Sequence, residues 1–261
     1  MRLKLLMEYA GTRYSGWQIQ KNARTVQGDI EAAIHKVSGR KDFELYGSGR
    51  TDAGVHALGQ VAHLDLQTSL APDDLVARIN AELPADINIL AAVKVPHRFH
   101  ARHDAVARSY VYQIALRRTA FAKPYVWWVR EPLNLAAMRD AAAPFAGMRD
   151  FQSFTDADPD EASTLVQLDR VQLEEADDLL LVRIEGSHFL WKMVRRMVGV
   201  LVEVGRDQMR PSDVTRLLQQ ASRLPARLTA PASGLFLERV FYPGDRRDYP
   251  LVPAVVLLER L

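Results

Sequence analysis

The chain contains no cysteine. That excludes disulfides, thiolate nucleophiles and cysteine-ligated zinc or iron–sulfur centres together, and it suits a reducing compartment. No apolar run approaches the ~20 residues that a membrane helix needs. The opening residues Met1-Arg2-Leu3-Lys4-Leu5-Leu6 carry charge inside a short apolar stretch, unlike a secretory leader. A cytoplasmic protein without membrane association is expected. Walker A, dinucleotide-glycine and nucleophile-elbow patterns are missing. Excess charge is also small. The formal net charge of +2 does not by itself imply a polyanionic ligand. Asp52, His56 and His63 match no compact metal-ligand spacing, and Pro96 breaks the segment holding His97, His100 and His103. No metal site is expected.

What is present is arginine. Of 34 basic residues 27 are arginine, whose planar fork suits phosphate and stacks on bases. Genome composition or thermal adaptation produces the same bias, so distribution matters more. Lys94, His97, Arg98, His100, Arg102, His103 and Arg108 cluster within 94–108, opposed only by Asp104 and interrupted by Phe99. Tyr110 and Tyr112 follow on one face of a strand. Cations interleaved with aromatics make a surface that tracks phosphates and stacks bases.

The 261 residues allow one large domain or two small ones with a real core. Strands are expected at 3–9, 42–46, 58–66, 87–95, 108–116, 169–175, 179–185 and 235–242. Apolar residues at helical spacing predict a helix over 26–37, capped by Thr25, and another opened by Pro72. Further helices are expected over 134–145, 189–205 and 212–221. Strands and helices mix without strict alternation, which points to an α+β fold with antiparallel pairing. No sequence repeat is present. Two subdomains, 1–104 and 105–261, are expected to share one sheet. The acidic stretch 156–163 reads as a surface loop.

The segment Gly47-Ser48-Gly49-Arg50-Thr51-Asp52-Ala53-Gly54-Val55-His56 draws attention to Asp52. Three glycines permit unusual backbone angles and close approach of a ligand. Asp52 reads either as a turn that caps itself or as a catalytic carboxylate kept ionised by a nearby cation. Arg50 is one such cation. The helix over 189–205 offers others. Lys192, Arg195, Arg196 and Gly199 share the face opposite Leu190, Met193, Val194, Met197 and Leu201, either as a solvated face or as a stripe for RNA. Three functions fit these residues. One is an enzyme acting on RNA through Asp52. Another is a non-catalytic RNA-binding protein, which leaves the carboxylate unexplained. The third is a metal-dependent hydrolase using Asp52, His56 and His63.

The run Gly47 to His56, continued by Ala57, Gly59 and Gln60, resembles the aspartate motif of the tRNA pseudouridine synthase A family. The likeness extends along the chain in order. It includes Gly16-Trp17-Gln18, Arg24-Thr25-Val26-Gln27-Gly28, Phe99-His100-Ala101-Arg102, Arg108-Ser109-Tyr110-Val111-Tyr112, Asp150-Phe151, Met193-Val194-Arg195 and Thr229-Ala230-Pro231-Ala232. Ala10 departs from the family's usual Asp, and the apolar tail after Tyr242 has no counterpart in the pattern. The resemblance implies isomerisation of uridine to pseudouridine at positions 38, 39 and 40 of the tRNA anticodon stem-loop, without cofactor. It implies two similar α/β subdomains on a largely antiparallel sheet with a central basic cleft, and a homodimer with a tRNA spanning both subunits. It makes Asp52 the catalytic carboxylate. Tyr110 is implied to stack on the uracil, Arg195 to keep Asp52 ionised and Arg50 to help hold the flipped nucleotide.

Overall fold

In the computed structural model, residues 1–156 and 163–257 are described. The acidic residues Asp158, Asp160 and Glu161 and the end of the apolar tail lie outside them. In chain order the strands are β1 (Arg2–Tyr9), β2 (Glu44–Gly47), β3 (His56–Asp65), β4 (Ile87–Val95), β5 (Ala107–Ala115), β6 (Trp127–Trp128), β7 (Gly147–Asp150), β8 (Leu165–Ala176), β9 (Leu179–Gly186) and β10 (Leu235–Phe241). The α-helices are α1 (Val26–Ser38), α2 (Pro72–Glu82), α3 (Leu135–Ala142), α4 (Met193–Gly205), α5 (Pro211–Gln219) and α6 (Leu224–Arg227). The chain forms two compact units. One comprises Met1–Val106 with Phe236–Arg247, the other Ala107–Leu235 with Asp248–Leu261.

In the first unit β1 is antiparallel to both β3 and β4. Its Leu3, Leu5, Met7 and Tyr9 are buried, while Arg2, Lys4, Leu6 and Glu8 alternate outward, the period of two that a half-covered sheet imposes. The other edge of β3 is shared. Its end, Ala62 to Asp65, pairs antiparallel with β2, and its start, His56 and Ala57, pairs parallel with Phe236 and Leu237. Gly59 permits this. A Cβ there would lie 2.7 Å from the Glu238 carbonyl oxygen. Helix α1 packs on α2, and α2 on β4. Thr25 Oγ1 accepts from the Gly28 N–H, and Gly39 ends α1 at φ 67°, as a polar N-cap and a left-handed C-cap should. Ile30, Ile34 and Ile79 are fully buried, each contributing about 1.5–3 kcal/mol.

In the second unit β5, β9, β8 and β7 pair antiparallel in that order, and β6 runs parallel to β5. Helix α3 packs on α4 and α5. Phe145, Phe151 and Phe154 form a fully buried cluster of edge and stacked contacts. The α+β expectation holds, but α4 departs from it twice. The helix starts at Met193 rather than 189, because Lys192 sits in the left-handed region at φ 58°. Its supposed outer face is also covered. Arg196 is only 2% exposed and ion-paired with Asp156, and a Cβ on Gly199 would lie 1.7 Å from the Leu228 carbonyl oxygen. Periodicity finds the faces of a helix but not what covers them, so Arg196 and Gly199 are packing residues and not part of an RNA-facing stripe. The tail is also held. Buried Arg183 donates to the carbonyls of Tyr249 and Pro250 at 3.1 and 2.8 Å. Buried Gln113 accepts from the N–H groups of Ala254 and Val255 at 2.6 and 3.2 Å.

Candidate active site

The aspartate loop is fixed from several sides within the first unit. The Ser48 N–H donates to the Val61 carbonyl at 2.7 Å, and the Trp17 N–H to the Thr51 carbonyl at 3.0 Å. Ser48 Oγ donates to Gln60 Oε1 at 2.8 Å, and Gln60 Nε2 donates to the Gly49 carbonyl at 3.1 Å. Tyr9 Oη and Thr51 Oγ1 share a hydrogen bond of 2.8 Å. Burial pushes the Tyr9 phenol up to about 12, so it stays protonated at neutral pH. The N-terminal loop closes on the same backbone. Gly16, at φ +93°, would place a Cβ 2.5 Å from the Thr51 carbonyl oxygen, and Gly11 one 1.9 Å from that of Val55. Only glycine fits at either position.

Inside this frame burial changes residue by residue. Ser48 and Thr51 are buried, Asp52 is half-buried, and Arg50 and Ala53 are exposed. The Val55 N–H donates to the Asp52 carbonyl at 3.1 Å, and Gly54 takes φ 80°. Asp52 thus sits half-buried on a tight turn between buried Thr51 and Val55. Arg50 opens onto an adjoining cleft that also contains Trp17, Gln27, Tyr46 and Arg102.

The other two proposed site residues lie in the second unit. Tyr110 is half-buried on β5, with its ring edge-on to Phe189 at 4.9 Å. Tyr112, on the same face by spacing, is fully buried and donates to the Pro231 carbonyl at 2.8 Å. The pair thus separates into one accessible ring and one core ring. Arg195 projects from the first turn of α4. Its Nε donates to the Ala230 carbonyl at 2.7 Å, and the Ala230 N–H donates back to the Arg195 carbonyl at 3.0 Å. This reciprocal pair ties α4 to the segment Thr229 to Ala232. Burial raises the Tyr112 phenol, and the Arg195 guanidinium partly opposes that rise.

The histidines have structural work. His56 Nδ1 accepts from the Gly11 N–H at 3.0 Å, and its ring stacks on Phe236. His63 Nδ1 accepts from the Ala101 N–H at 3.2 Å. Burial first, then the Arg2 guanidinium and His100, hold the His63 imidazole below its ordinary range. Among the described residues no group of three or more His, Asp or Glu is placed to hold a metal. Sequence reasoning missed Gln60, Thr51 and Tyr9 as the frame of the loop. The available signal was polar residues, His56, Gln60 and His63, recurring inside an otherwise apolar strand. No helix among the described residues is long and apolar enough to cross a membrane.

Comparison with known proteins gives the same direction. The profile of a family described as tRNA pseudouridine synthase matches residues 5–104 and 141–243. A tRNA pseudouridine synthase A of Maridesulfovibrio salexigens is 39% identical over 246 residues, covering 92% of this chain and 90% of the relative. The protein of that name from Geobacter sulfurreducens is 40% identical, covering 91% and 98%. That from Geobacillus kaustophilus is 37% identical, covering 96% and 98%. The chain belongs to the tRNA pseudouridine synthase family. It is therefore an isomerase that converts uridine to pseudouridine in tRNA.

Proposed function

We propose that the uridines isomerised are those at positions 38, 39 and 40 of the tRNA anticodon stem-loop, with Asp52 as the catalytic carboxylate. The supporting observation is the half-buried Asp52 on a turn fixed by buried hydrogen bonds. A protein that only bound RNA would have no use for a carboxylate there, since it repels phosphate. The reaction breaks the bond from ribose C1′ to uracil N1, turns the base, and joins C1′ to C5. The proton on C5 leaves and N1 gains one, so no external oxidant or group donor is required.

Asp52 starts the release of the base. Tyr110 stacks on the uracil. Arg195 holds the carboxylate ionised. Arg50 steadies the extruded nucleotide. A stacked base hides its glycosidic bond, and unstacking costs a few kcal/mol. Phosphate contacts from the basic residues of 94–108 and from Lys192 offset that cost. The working unit is a homodimer in the cytoplasm, with one tRNA spanning both subunits. A metal-dependent hydrolase built on His56 and His63 fits less well, because both Nδ1 lone pairs already accept backbone N–H groups.

The test is tritium release from a tRNA carrying 5-tritiated uridine, with uridines 38, 39 and 40 replaced in turn by cytidine. Release that depends on those positions and persists in EDTA is expected. No release with enzyme in excess would leave only RNA binding.

A further inference from the structure

The loop from Leu116 to Trp128 has no part in the isomerisation as described. It leaves the end of β5, and its base is closed where the Val129 N–H donates to the Ala115 carbonyl at 3.2 Å. Compact surface loops whose ends meet are frequently functional. Residues 117 to 130 include Arg117, Arg118, Lys123 and Arg130 and no acidic residue. Phe121, Tyr125, Trp127 and Trp128 are interleaved with them. Such a mixture of cations and rings suits a nucleic-acid strand.

The backbone of the loop is pinned from several sides. Buried Ala122 donates its N–H to Thr119 Oγ1 at 3.3 Å, and its carbonyl accepts from the Tyr125 N–H at 2.8 Å. The Tyr125 carbonyl accepts from Gln113 Nε2 at 3.1 Å, and the Val126 carbonyl from Ser233 Oγ at 3.2 Å. Arg117 is ion-paired with Asp178. Arg118 reaches back across the loop, and its guanidinium lies 5.7 Å from the centre of the Trp128 ring.

On this fixed frame two large rings face outward. Phe121 is 96% exposed, although its neighbour Ala122 is buried, and Trp128 is 40% exposed. Trp127, by contrast, is half-buried and meets Tyr112 edge-on. A ring left in water adds almost nothing to the fold, so Phe121 wants a partner. Arg118, Lys123 and Arg130 on the same segment are exposed, and their charge favours a polyanion. The target uridine is not that partner. About 17 Å of β5, at roughly 3.3 Å per residue, separates Tyr110 from Ala115 at the base of the loop.

We propose that this loop is a second RNA site, which takes an unpaired base of the tRNA outside the anticodon loop. Phe121 stacks on that base, and Arg118, Lys123 and Arg130 face the flanking phosphates. Every base has a π-face, so stacking tolerates any sequence. The contact therefore tests for an unpaired base at a set distance from the target, not for its identity. The proposal rests on tRNA being the substrate, and not on which uridine Asp52 acts upon.

The experiment uses the full chain with Phe121→p-benzoylphenylalanine, irradiated with full-length tRNA, and the adduct is mapped by the stops it causes in reverse transcription. A cross-link to an unpaired nucleotide outside the anticodon loop is expected. Phe121→Ala is expected to raise KM for tRNA about tenfold, as loss of one base–aromatic stack should, while kcat stays within about twofold. Its melting temperature and the salt slope of binding should not change, and Phe121→Trp should restore KM. Lys123→Gln is expected to lower the salt slope by about one. Cross-links only within the anticodon loop, only to a second copy of the chain, or none at all would overturn the proposal. So would a Phe121→Ala enzyme with unchanged KM, or one whose melting temperature falls with its affinity. Failure of the synthase reading shows separately, as loss of wild-type tritium release with the cross-link retained.

Discussion

His63 shows how far one side chain reaches. It accepts a backbone N–H from Ala101, stacks on Tyr46 and meets His100 edge-on, so it joins β3 to the turn carrying Arg102. Burial and the Arg2 guanidinium hold its pKa below the ordinary value of about 6.5. The unfolded chain therefore binds a proton that the folded chain refuses once pH falls below that value. The stabilisation is fully present above about pH 6.5 and is lost on acidification. His63→Asn keeps an acceptor near Nδ1 but cannot titrate. The melting temperature of the wild type should fall from pH 7 to pH 5 more steeply than that of His63→Asn. Equal slopes would show that His63 is not the group. At this scale Asp52 and its three glycines are legible in sequence, because a glycine-framed loop is a local pattern. Gln60, Thr51 and Tyr9 are not, because their bonds join residues up to 51 positions apart.

Among elements, β5 links two features. It carries half-buried Tyr110 on one stretch and Gln113 on the next, and Gln113 straps the tail through Ala254 and Val255. The opposite strand β9 adds Arg183, whose guanidinium lies 4.1 Å over the Tyr249 ring. Gln113→Leu would leave two tail N–H groups and the Tyr125 carbonyl without their partner. It should lower stability by about 1–3 kcal/mol in urea unfolding and expose 248–257 to limited proteolysis. Unchanged stability with an intact tail would show that the strap is idle. Periodicity found the regular helices and strands within a few residues. It failed at the start of α4, where the backbone of Lys192 turns left-handed, and at β6 and β7, which are too short to show a period. Nor could it show the tail's docking, which depends on two buried polar residues far upstream.

For the whole molecule, family membership and the spread of basic residues make tRNA affinity an electrostatic quantity. If the 94–108 region and Lys192 contact several phosphates, affinity should fall about a hundredfold or more between 50 and 200 mM salt. Affinity independent of salt would contradict that arrangement. The return of 236–247 to the first unit lies beyond local sequence patterns, since β10 meets β3 across about 180 residues. Catalysis in the proposed reaction still depends on one carboxylate. The most direct measurement compares wild type with Asp52→Asn in tritium release from 5-tritiated uridine tRNA, with tRNA binding measured on the same samples. Asp52→Asn should give no release above background while binding tRNA within a few-fold of wild type. Release at the wild-type rate would contradict it.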